Sequence, residues 1–283
     1  MGKSVRRWLY GAGVVAAAGA VACGPGLANA ATQVPGFTPP TPAPLYVPPN
    51  HPLYLGDTGP AVRSVQRRLN QLGYYAGPDD GVFGPDLEWA VWAFKEAQGL
   101  PMDHINWDDI YDSNSTITKS FLQALVHPAL PKVLVPNGGA ERVEINLSDQ
   151  LLVLYKNNEP ELMLHISSGG GYYFCDPPPP KSDGLCTTAQ TPDGNFHAVY
   201  FIPGLDIVPL GQMYNPVFFD PAAGDAMHGG DLDPWYPASH GCVRLPLDVE
   251  NWYHSLLTVG GKDATPVYIR GIAPYQPDIV GAG

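Results

Sequence analysis

The spacing of apolar residues changes once along the chain, and this change constrains the fold more than any other feature. Up to about residue 128, apolar side chains recur at helical spacing, as in Val62, Val65, Leu69 and Leu72. Beyond residue 140 they alternate with polar ones over 142–147 and 161–166. The first pattern is typical of amphipathic helices and the second of strands with one buried face. The sequence therefore predicts two domains, a small helical one followed by a mainly β one.

Three helices are predicted in the first domain. Gly73 is placed to end the first helix, and a turn-forming stretch at 79–85 leads into a second helix that ends at Gly99. A third helix is expected before Pro128. The apolar faces of the second and third helices are formed by Leu87, Ala90, Val91, Phe94 and Ala97 and by Ile117, Phe121, Leu122 and Leu125. These helices predict a small three-helix bundle.

Antiparallel hairpins are predicted at the start of the second domain. Turn-forming pairs at 148–149 and 157–158 separate three apolar runs, of which 151–155 is apolar throughout. Further short strands are expected at 197–202, 217–219, 226–228 and 267–270, with one helix from Leu247 to about Leu257. The second domain is therefore expected to be mainly β and built on antiparallel sheet.

The first thirty residues have the three parts of a secretory signal peptide. Lys3, Arg6 and Arg7 are basic, residues 9–22 are small and apolar, and Ala28-Asn29-Ala30 fits a cleavage site. The apolar segment is shorter than the roughly 20 residues that a membrane-spanning helix needs. We therefore expect export and removal of residues 1–30, followed by an extended Pro-rich linker over 31–52.

A competing signal lies within the same segment. Ala20-Val21-Ala22-Cys23 resembles a bacterial lipobox, although Ala20 stands where leucine is usual. Lipidation of Cys23 would anchor the protein to a membrane, so that alternative stays open.

The charge balance excludes two classes of partner. The chain has 15 basic and 27 acidic residues, a net charge of −12, and residues 1–30 hold three of the basic ones. With 12 basic residues left after cleavage, the net charge falls to −15. Nucleic acids and anionic lipid surfaces attract basic proteins, so neither is an expected partner.

Three cysteines remain beyond Cys23. Cys175 and Cys186 flank a Pro-rich segment and are natural disulfide partners in an oxidising compartment. Cys242 is then the unpaired thiol, which makes it a candidate reactive group, with a buried inert cysteine as the alternative.

The residues around Cys242 supply a thiol and two imidazoles, within Met227-His228-Gly229-Gly230 and 239–245. A free thiol is only about 3% ionised at pH 7, and an adjacent imidazole can take its proton. Glycines at 229 and 241 let backbone amides approach a developing oxyanion. From residue types alone, a zinc site is an alternative for a cysteine with two histidines.

The spacing of these residues resembles the signature of L,D-transpeptidases with a YkuD-type catalytic domain, in which Ser-His-Gly-Cys-Val-Arg follows a His-Gly pair. Three more segments are similar to that family: 191–196 to its Thr-Pro-x-Gly-x-Phe stretch, 146–151 to its opening hairpin, and 167–169 to its Ser-Thr-Gly. The resemblance runs from Glu141 to Ile272. It implies a YkuD-like β-sandwich over 140–273, with a tail at 274–283, and neither a metal nor another cofactor.

The first domain, 53–128, resembles a peptidoglycan-binding module of the three-helix type. The residues that carry the resemblance are Leu55-Gly56-Asp57, Val62, Gln66, Leu69, Gly73, Tyr74, the segment 80–85, Ala90-Val91 and Phe94. Glu88-Trp89 departs from the simpler polar pair that is usual there. The resemblance implies binding to glycan or stem peptides, and a linker over 129–139 would join the two domains.

The transpeptidase resemblance assigns a role to each residue of the motif. Cys242 would be the nucleophile and His228 the general base, with the carbonyl of Gly229 orienting the imidazole. His240 and the amide of Cys242 would lie beside the oxyanion. The residues expected to contact substrate are Ser239, Gly241 and Arg244, the last of which would bind a carboxylate. An ion pair with Asp248 is the alternative for Arg244.

Other candidate residues are expected to be structural. His165 and His197 are predicted to be strand residues with ordinary hydrogen bonds. The aromatic residues at 172–174 and 235–236 are expected to pack, although they could also stack on a glycan. The insertion at 172–186 is not general in the family, and the short spacing between His228 and His240 implies a smaller flap beside the site.

The function that the resemblance implies is cross-linking of peptidoglycan by L,D-transpeptidation through a thioester. Trimming of stem peptides by an L,D-carboxypeptidase is an alternative, and an inactive wall-binding protein is another. The expected partners are peptidoglycan stem peptides and glycan. The protein is expected to act as a monomer in the bacterial cell envelope.

Overall fold

The computed structural model describes residues 51–102, 113–176, 184–230 and 234–274. The predicted signal peptide, Cys23 and most of the 31–52 linker lie outside these ranges. Within them, no helix is long and apolar enough to cross a membrane.

Three α-helices precede the strands: α1 (Pro60–Gln71), α2 (Pro85–Gln98) and α3 (Lys119–Val126), with a short 3-10 helix at Ser113–Ser115 before α3. Proline at the first turn of α1 and α2 suits a position whose N–H has no helical partner. Gly99 ends α2 with φ of 61°, a left-handed conformation that glycine adopts without steric cost. The Thr118 hydroxyl caps α3 by accepting from the Phe121 N–H at 3.2 Å.

Twelve strands and a fourth helix, α4 (Leu247–Tyr253), follow in the described ranges. The strands are β1 (Arg142–Asn146), β2 (Leu151–Lys156), β3 (Glu159–His165), β4 (Tyr173–Cys175), β5 (Cys186–Thr188), β6 (Gly194–His197), β7 (Tyr200–Phe201), β8 (Leu205–Val208), β9 (Gly211–Asp220), β10 (Asp225–Gly229), β11 (Val243–Leu245) and β12 (Pro266–Arg270). The prediction of a mainly β second domain is therefore confirmed. A 3-10 turn at His254–Leu256 continues α4.

The strands form two larger sheets and one small one. The first sheet has the order β3-β2-β1-β12-β6, and the second has β11-β10-β9-β7 with β8 also paired to β9. Strands β4 and β5 pair separately. Apolar side chains of the two larger sheets and of α4 share one buried cluster, which includes Val143, Leu152, Val217, Met227, Val243 and Tyr253.

Both larger sheets are mixed, whereas the sequence predicted antiparallel pairing. Strand β12 lies parallel to β1, and β11 lies parallel to β10. A parallel pair needs a crossover connection, and here residues 147–265 connect β1 to β12 and residues 230–242 connect β10 to β11. Alternation of apolar residues shows that a segment is a strand but not which strand lies beside it.

Strand β2 is apolar throughout because both of its faces are covered. Leu152 and Leu154 point into the cluster between the sheets. Leu151, Val153 and Tyr155 point the other way and pack, together with Met163 of β3, into the core of the helices. Successive side chains on a strand face opposite sides, so a strand between two cores has no polar face. The helices and the first sheet thus share one hydrophobic core.

Polar contacts reinforce this junction. The Met163 N–H donates to the Gly73 carbonyl oxygen at 2.9 Å. The Glu144 carboxylate, almost fully buried, accepts from Arg142 at 2.6 Å and from the Leu134 N–H at 2.6 Å. The predicted linker at 129–139 is therefore fixed to β1 by a buried carboxylate.

We expect Met163→Ala to destabilise the helical and β parts together, because this side chain of β3 lies in the core of the helices. Truncation of a buried methionine costs about 2–5 kcal/mol. Thermal unfolding should show one transition at a lower temperature, while Glu161→Ala, an exposed change on the same strand, should leave it unmoved. If unfolding showed two transitions and Met163→Ala shifted only one of them, the result would contradict a shared core.

Candidate active site

Two neighbouring parallel strands bring the predicted catalytic residues together. The register of β10 and β11 pairs Met227 with Val243 and His228 with Arg244. Cys242 comes directly before β11, so its side chain lies on the same face as Arg244 and His228. The thiol and the imidazole therefore share one face of the second sheet.

The tautomer of His228 follows from its hydrogen bond. Its Nδ1 lies 2.8 Å from the carbonyl oxygen of Gly229. A carbonyl can only accept, so Nδ1 carries the proton and Nε2 is left with a lone pair. The imidazole is nearly inaccessible, at 5% exposure. The pKa of His228 is lowered to about 4, chiefly by burial and also by the charge of Arg244, while the bond to Gly229 acts in the opposite direction.

The Cys242 thiol is unpaired, and the residue is partly buried. Its Sγ donates to the Gly224 carbonyl oxygen at 3.8 Å and lies 3.9 Å from Met213 Sδ. No hydrogen bond joins Sγ to His228 within the described ranges. Burial raises the pKa of the Cys242 thiol to about 12, and the carboxylate of Asp225 contributes to the rise. At rest the thiol and the imidazole on this sheet face are therefore both neutral.

Asp225 is a neighbour of the thiol that sequence reasoning missed. Its carboxyl group contacts the α-carbon of Gly241, where a Cβ would collide with Oδ1. Burial raises the pKa of Asp225 to about 7, and the charge of Asp220 adds to the rise. The pairing that brings Asp225 to Cys242 is between strands, so spacing along the chain gave no signal for it.

The turn that carries Cys242 is held by the hydroxyl group of Ser239, a residue of the same turn. The buried Ser239 hydroxyl donates to the Cys242 carbonyl oxygen at 2.5 Å and accepts from the Gly241 N–H at 3.2 Å. The hydroxyl predicted to contact substrate is therefore engaged within the turn.

Two distant segments of the predicted signature also converge on this turn. The Thr191 hydroxyl donates to the Gly241 carbonyl oxygen at 2.6 Å and accepts from the Gly169 N–H at 2.9 Å. Ser167 exchanges two backbone hydrogen bonds with Arg244, at 3.0 and 3.1 Å. A Cβ on Gly169 would meet the backbone around Thr191 at 2.6–2.8 Å, so only glycine fits there.

His240 packs against an aromatic wall. Its ring packs against Phe174 at 4.6 Å and Tyr172 at 5.6 Å between centroids. Burial lowers the pKa of His240, and the charge of Arg244 adds to this. The wall belongs to the insertion, whose predicted disulfide between Cys175 and Cys186 is confirmed.

A cleft of about 180 Å³ opens beside the His228 strand. It is lined by Leu205, Gln212, Tyr214, Gly229, Gly230, Leu247, Asp248 and Asn251. Tyr214 thus lies near the site, which the sequence alone could not establish. Across the described ranges no three His, Cys, Asp or Glu side chains converge as metal ligands.

Comparison with known proteins defines the class of this site. Residues 140–269 match the family model of the L,D-transpeptidase (YkuD) catalytic domain, and residues 58–104 match that of a peptidoglycan-binding domain. The structure is similar to the L,D-transpeptidase of Xylanimonas cellulosilytica (residues 123–326), with 30% identity and a TM-score of 0.65 over 80% of this chain and 100% of that one. The chain belongs to the L,D-transpeptidase family, and its β part is a YkuD-like catalytic domain.

Two curated relatives resemble short segments only. The localization factor PodJL of Caulobacter vibrioides is 58% identical over 37 residues, 13% of this chain and 4% of that protein. The spore cortex-lytic enzyme of Bacillus cereus is 43% identical over 54 residues, 19% of this chain and 21% of that enzyme. The chain therefore spans about a fifth or less of the length of these two relatives.

We expect the rate of Cys242 alkylation by iodoacetamide to keep rising with pH well above 8, because burial disfavours the thiolate. Asp225→Asn removes a nearby negative charge, so it should lower the thiol pKa by less than one unit. Alkylation at pH 9 should then be about threefold faster. Asp220→Asn, on the far side of Asp225, is the matched control and should have a smaller effect. A plateau of reactivity between pH 5 and 7 would instead indicate a preformed thiolate–imidazolium pair.

Proposed function

We propose that this protein is a peptidoglycan L,D-transpeptidase in which Cys242 forms a thioester with a stem peptide and passes the acyl group to an amine. One observation carries the proposal: an unpaired thiol lies on the same sheet face as a buried histidine whose free lone pair is at Nε2. The pair has the composition and tautomer that nucleophilic catalysis by cysteine requires.

In the first half-reaction the thiol proton moves to His228 Nε2 as Sγ attacks a stem-peptide carbonyl. Burial penalises a separated thiolate and imidazolium, so proton transfer should accompany attack rather than precede it. At rest Sγ donates to the Gly224 carbonyl oxygen, so it has to turn toward His228 for this transfer. The C–N bond then breaks, the proton passes to the departing amine, and the terminal residue leaves.

The negative charge that develops on the carbonyl oxygen during attack must be stabilised by hydrogen-bond donors. The backbone N–H of Cys242 and the His240 ring are the candidates, in keeping with the roles implied by the family signature. We assign Arg244 to the binding of a substrate carboxylate, because its positive charge lowers the pKa values of His228, His240 and Cys242. A guanidinium binds a carboxylate through two parallel hydrogen bonds.

The second half-reaction decides between two products. If the amine of a second stem peptide attacks the thioester, it loses a proton to His228 and a cross-link forms with the thiol restored. If water attacks, the product is a trimmed stem and the enzyme acts as a carboxypeptidase. A site that excludes water favours the amine. The family implies meso-diaminopimelate as the residue that donates this amine.

We assign the three helices to a peptidoglycan-binding unit that holds the catalytic domain at its polymeric substrate. The match at 58–104 supports this assignment. The signal-like segment at 1–30 and a net charge of −12 fit an exported protein of the cell envelope that binds stem peptides and glycan rather than nucleic acid. It would act as a monomer, with membrane attachment only through a lipid on Cys23.

Cys242→Ala should abolish formation of cross-linked dimers from disaccharide-tetrapeptide, measured by mass spectrometry. His228→Gln removes the proton acceptor and should slow dimer formation by about 10²–10⁴-fold. His197→Gln, at an exposed histidine of β6, is the matched control and should keep wild-type activity. If Cys242→Ala formed dimers at the normal rate, Cys242 would not be the nucleophile. If the wild type produced only trimmed monomers, the carboxypeptidase alternative would be favoured.

Arg244→Gln should raise KM for the donor peptide by about tenfold with a smaller change in kcat, as expected for the loss of a charge-assisted hydrogen bond to a carboxylate. Steady-state kinetics with disaccharide-tetrapeptide measures the split. Asp248→Asn separates the two assignments of Arg244. If that variant reproduced the Arg244→Gln defect, the arginine would serve an ion pair with Asp248 and not the substrate.

A further inference from the structure

A buried polar contact between helix α2 and strand β3 is not used by the proposed mechanism. Glu96 Oε1 lies 2.7 Å from His165 Nδ1, and the two side chains are 6% and 0% exposed. The Trp92 ring packs edge-on against His165 at 5.2 Å. A fully buried ionisable pair is costly unless its hydrogen bonds are complete. It therefore requires an explanation beyond ordinary strand packing.

The other nitrogen of the same imidazole reaches the segment that leads into the active site. His165 Nε2 lies 3.0 Å from the carbonyl oxygen of Pro234. The buried Ser167 hydroxyl holds the same segment two residues further on, since it donates to the Tyr236 carbonyl oxygen at 2.7 Å and accepts from the Ala238 N–H at 3.1 Å. We call residues 234–239 the site loop, because Cys242 follows three residues after its last residue, Ser239.

The hydrogen-bond acceptors around His165 show which atoms carry protons. The carbonyl oxygen of Pro234 cannot donate, so His165 Nε2 must carry a proton. The short Nδ1–Oε1 contact to Glu96 then needs a second proton, located on the imidazole or on the carboxyl group. The other carboxyl oxygen of Glu96, Oε2, is buried without a hydrogen-bond partner in the described ranges. The pair is complete only when it holds both protons.

We propose that Glu96 of the helical part is a positioning residue for the site loop and acts through His165. The carboxyl group fixes the ring, the ring fixes the carbonyl of Pro234, and the loop then presents the turn of Ser239 and Cys242 in register with β10. The helices thus hold the catalytic geometry besides any binding to the wall. The consequence for catalysis rests on the proposed function, but the contact itself does not.

The link has a built-in pH dependence. Burial raises the pKa of Glu96 to about 7, His165 lowers it and Asp149 raises it. The ionisable groups that face the pair from the surrounding elements are His165, Tyr74, Asp149, Lys132 and Glu144, the last paired with Arg142. Loss of one of the two shared protons as the pH rises leaves a neutral imidazole, whose single N–H cannot serve both Glu96 and Pro234.

Amide hydrogen exchange of the full chain tests the contact without reference to activity. Protection of the N–H groups of 235–241, corrected for intrinsic rates, should fall about fivefold in the wild type between pH 6 and pH 8.5. In Glu96→Gln the amide can donate to Nδ1 at every pH, so protection should stay high at both. Glu96→Ala should give low protection at both. Glu88→Gln changes the same side chain on the same helix, where its partner is Ser115, and should behave as the wild type.

Two results would overturn the proposal: a pH dependence retained in Glu96→Gln, or wild-type protection in Glu96→Ala. If Glu96→Ala fails to fold, the Glu96→Gln comparison alone decides. In the dimer assay, Glu96→Ala should lower kcat by about tenfold with KM little changed, because misplaced groups slow the chemistry more than binding. A wild type that formed neither dimers nor an acyl-enzyme would refute the proposed function, while the exchange experiment would still decide the role of Glu96.

Discussion

The burial of one thiol is the constraint on which this account depends. Burial raises the pKa of Cys242 to about 12 and lowers the pKa of its neighbour His228 to about 4, so both are neutral at rest. Neutral groups tolerate a low-dielectric site, whereas an isolated thiolate would not. A neutral thiol is also protected from oxidation, because the thiolate is the reactive form. In the proposed mechanism the thiol is therefore activated only when an acyl donor is present.

The fold supplies the rigid support that such a site needs. Cys242 and His228 come from adjacent parallel strands, and the turn between them is fixed by hydroxyl groups of Ser239 and Thr191. Behind the site, the two sheets and α4 share a core, and on the outer face of β2 the helices share a second one. Catalytic groups placed to within fractions of an ångström depend on supports of this kind.

The succession of a helical part and a mainly β part could be predicted from the sequence because the hydrophobic period reports burial directly, whereas the short strands β4, β5, β8 and β11 were not predicted. The disulfide could be predicted because two cysteines flank one loop in a protein expected to be exported. The parallel pairs could not, since a period of two is the same for either orientation of the partner. Asp225 and the Glu96–His165 contact were missed for the same reason: both depend on tertiary neighbours, in the second case 69 residues apart in the chain. The chemistry of the site could be predicted because the motif lies in one short stretch of sequence. The pKa shifts of the site residues could not, because they depend on the whole fold.

The central claim is that the acyl group passes through Cys242. The most direct measurement is to quench a reacting mixture of the protein and disaccharide-tetrapeptide with acid, digest it, and locate the acylated residue by mass spectrometry. The account predicts an adduct on the peptide that contains Cys242, with the mass of the donor less its terminal residue, and its release by hydroxylamine. An acyl group on another residue, or none on Cys242 while products accumulate, would contradict it.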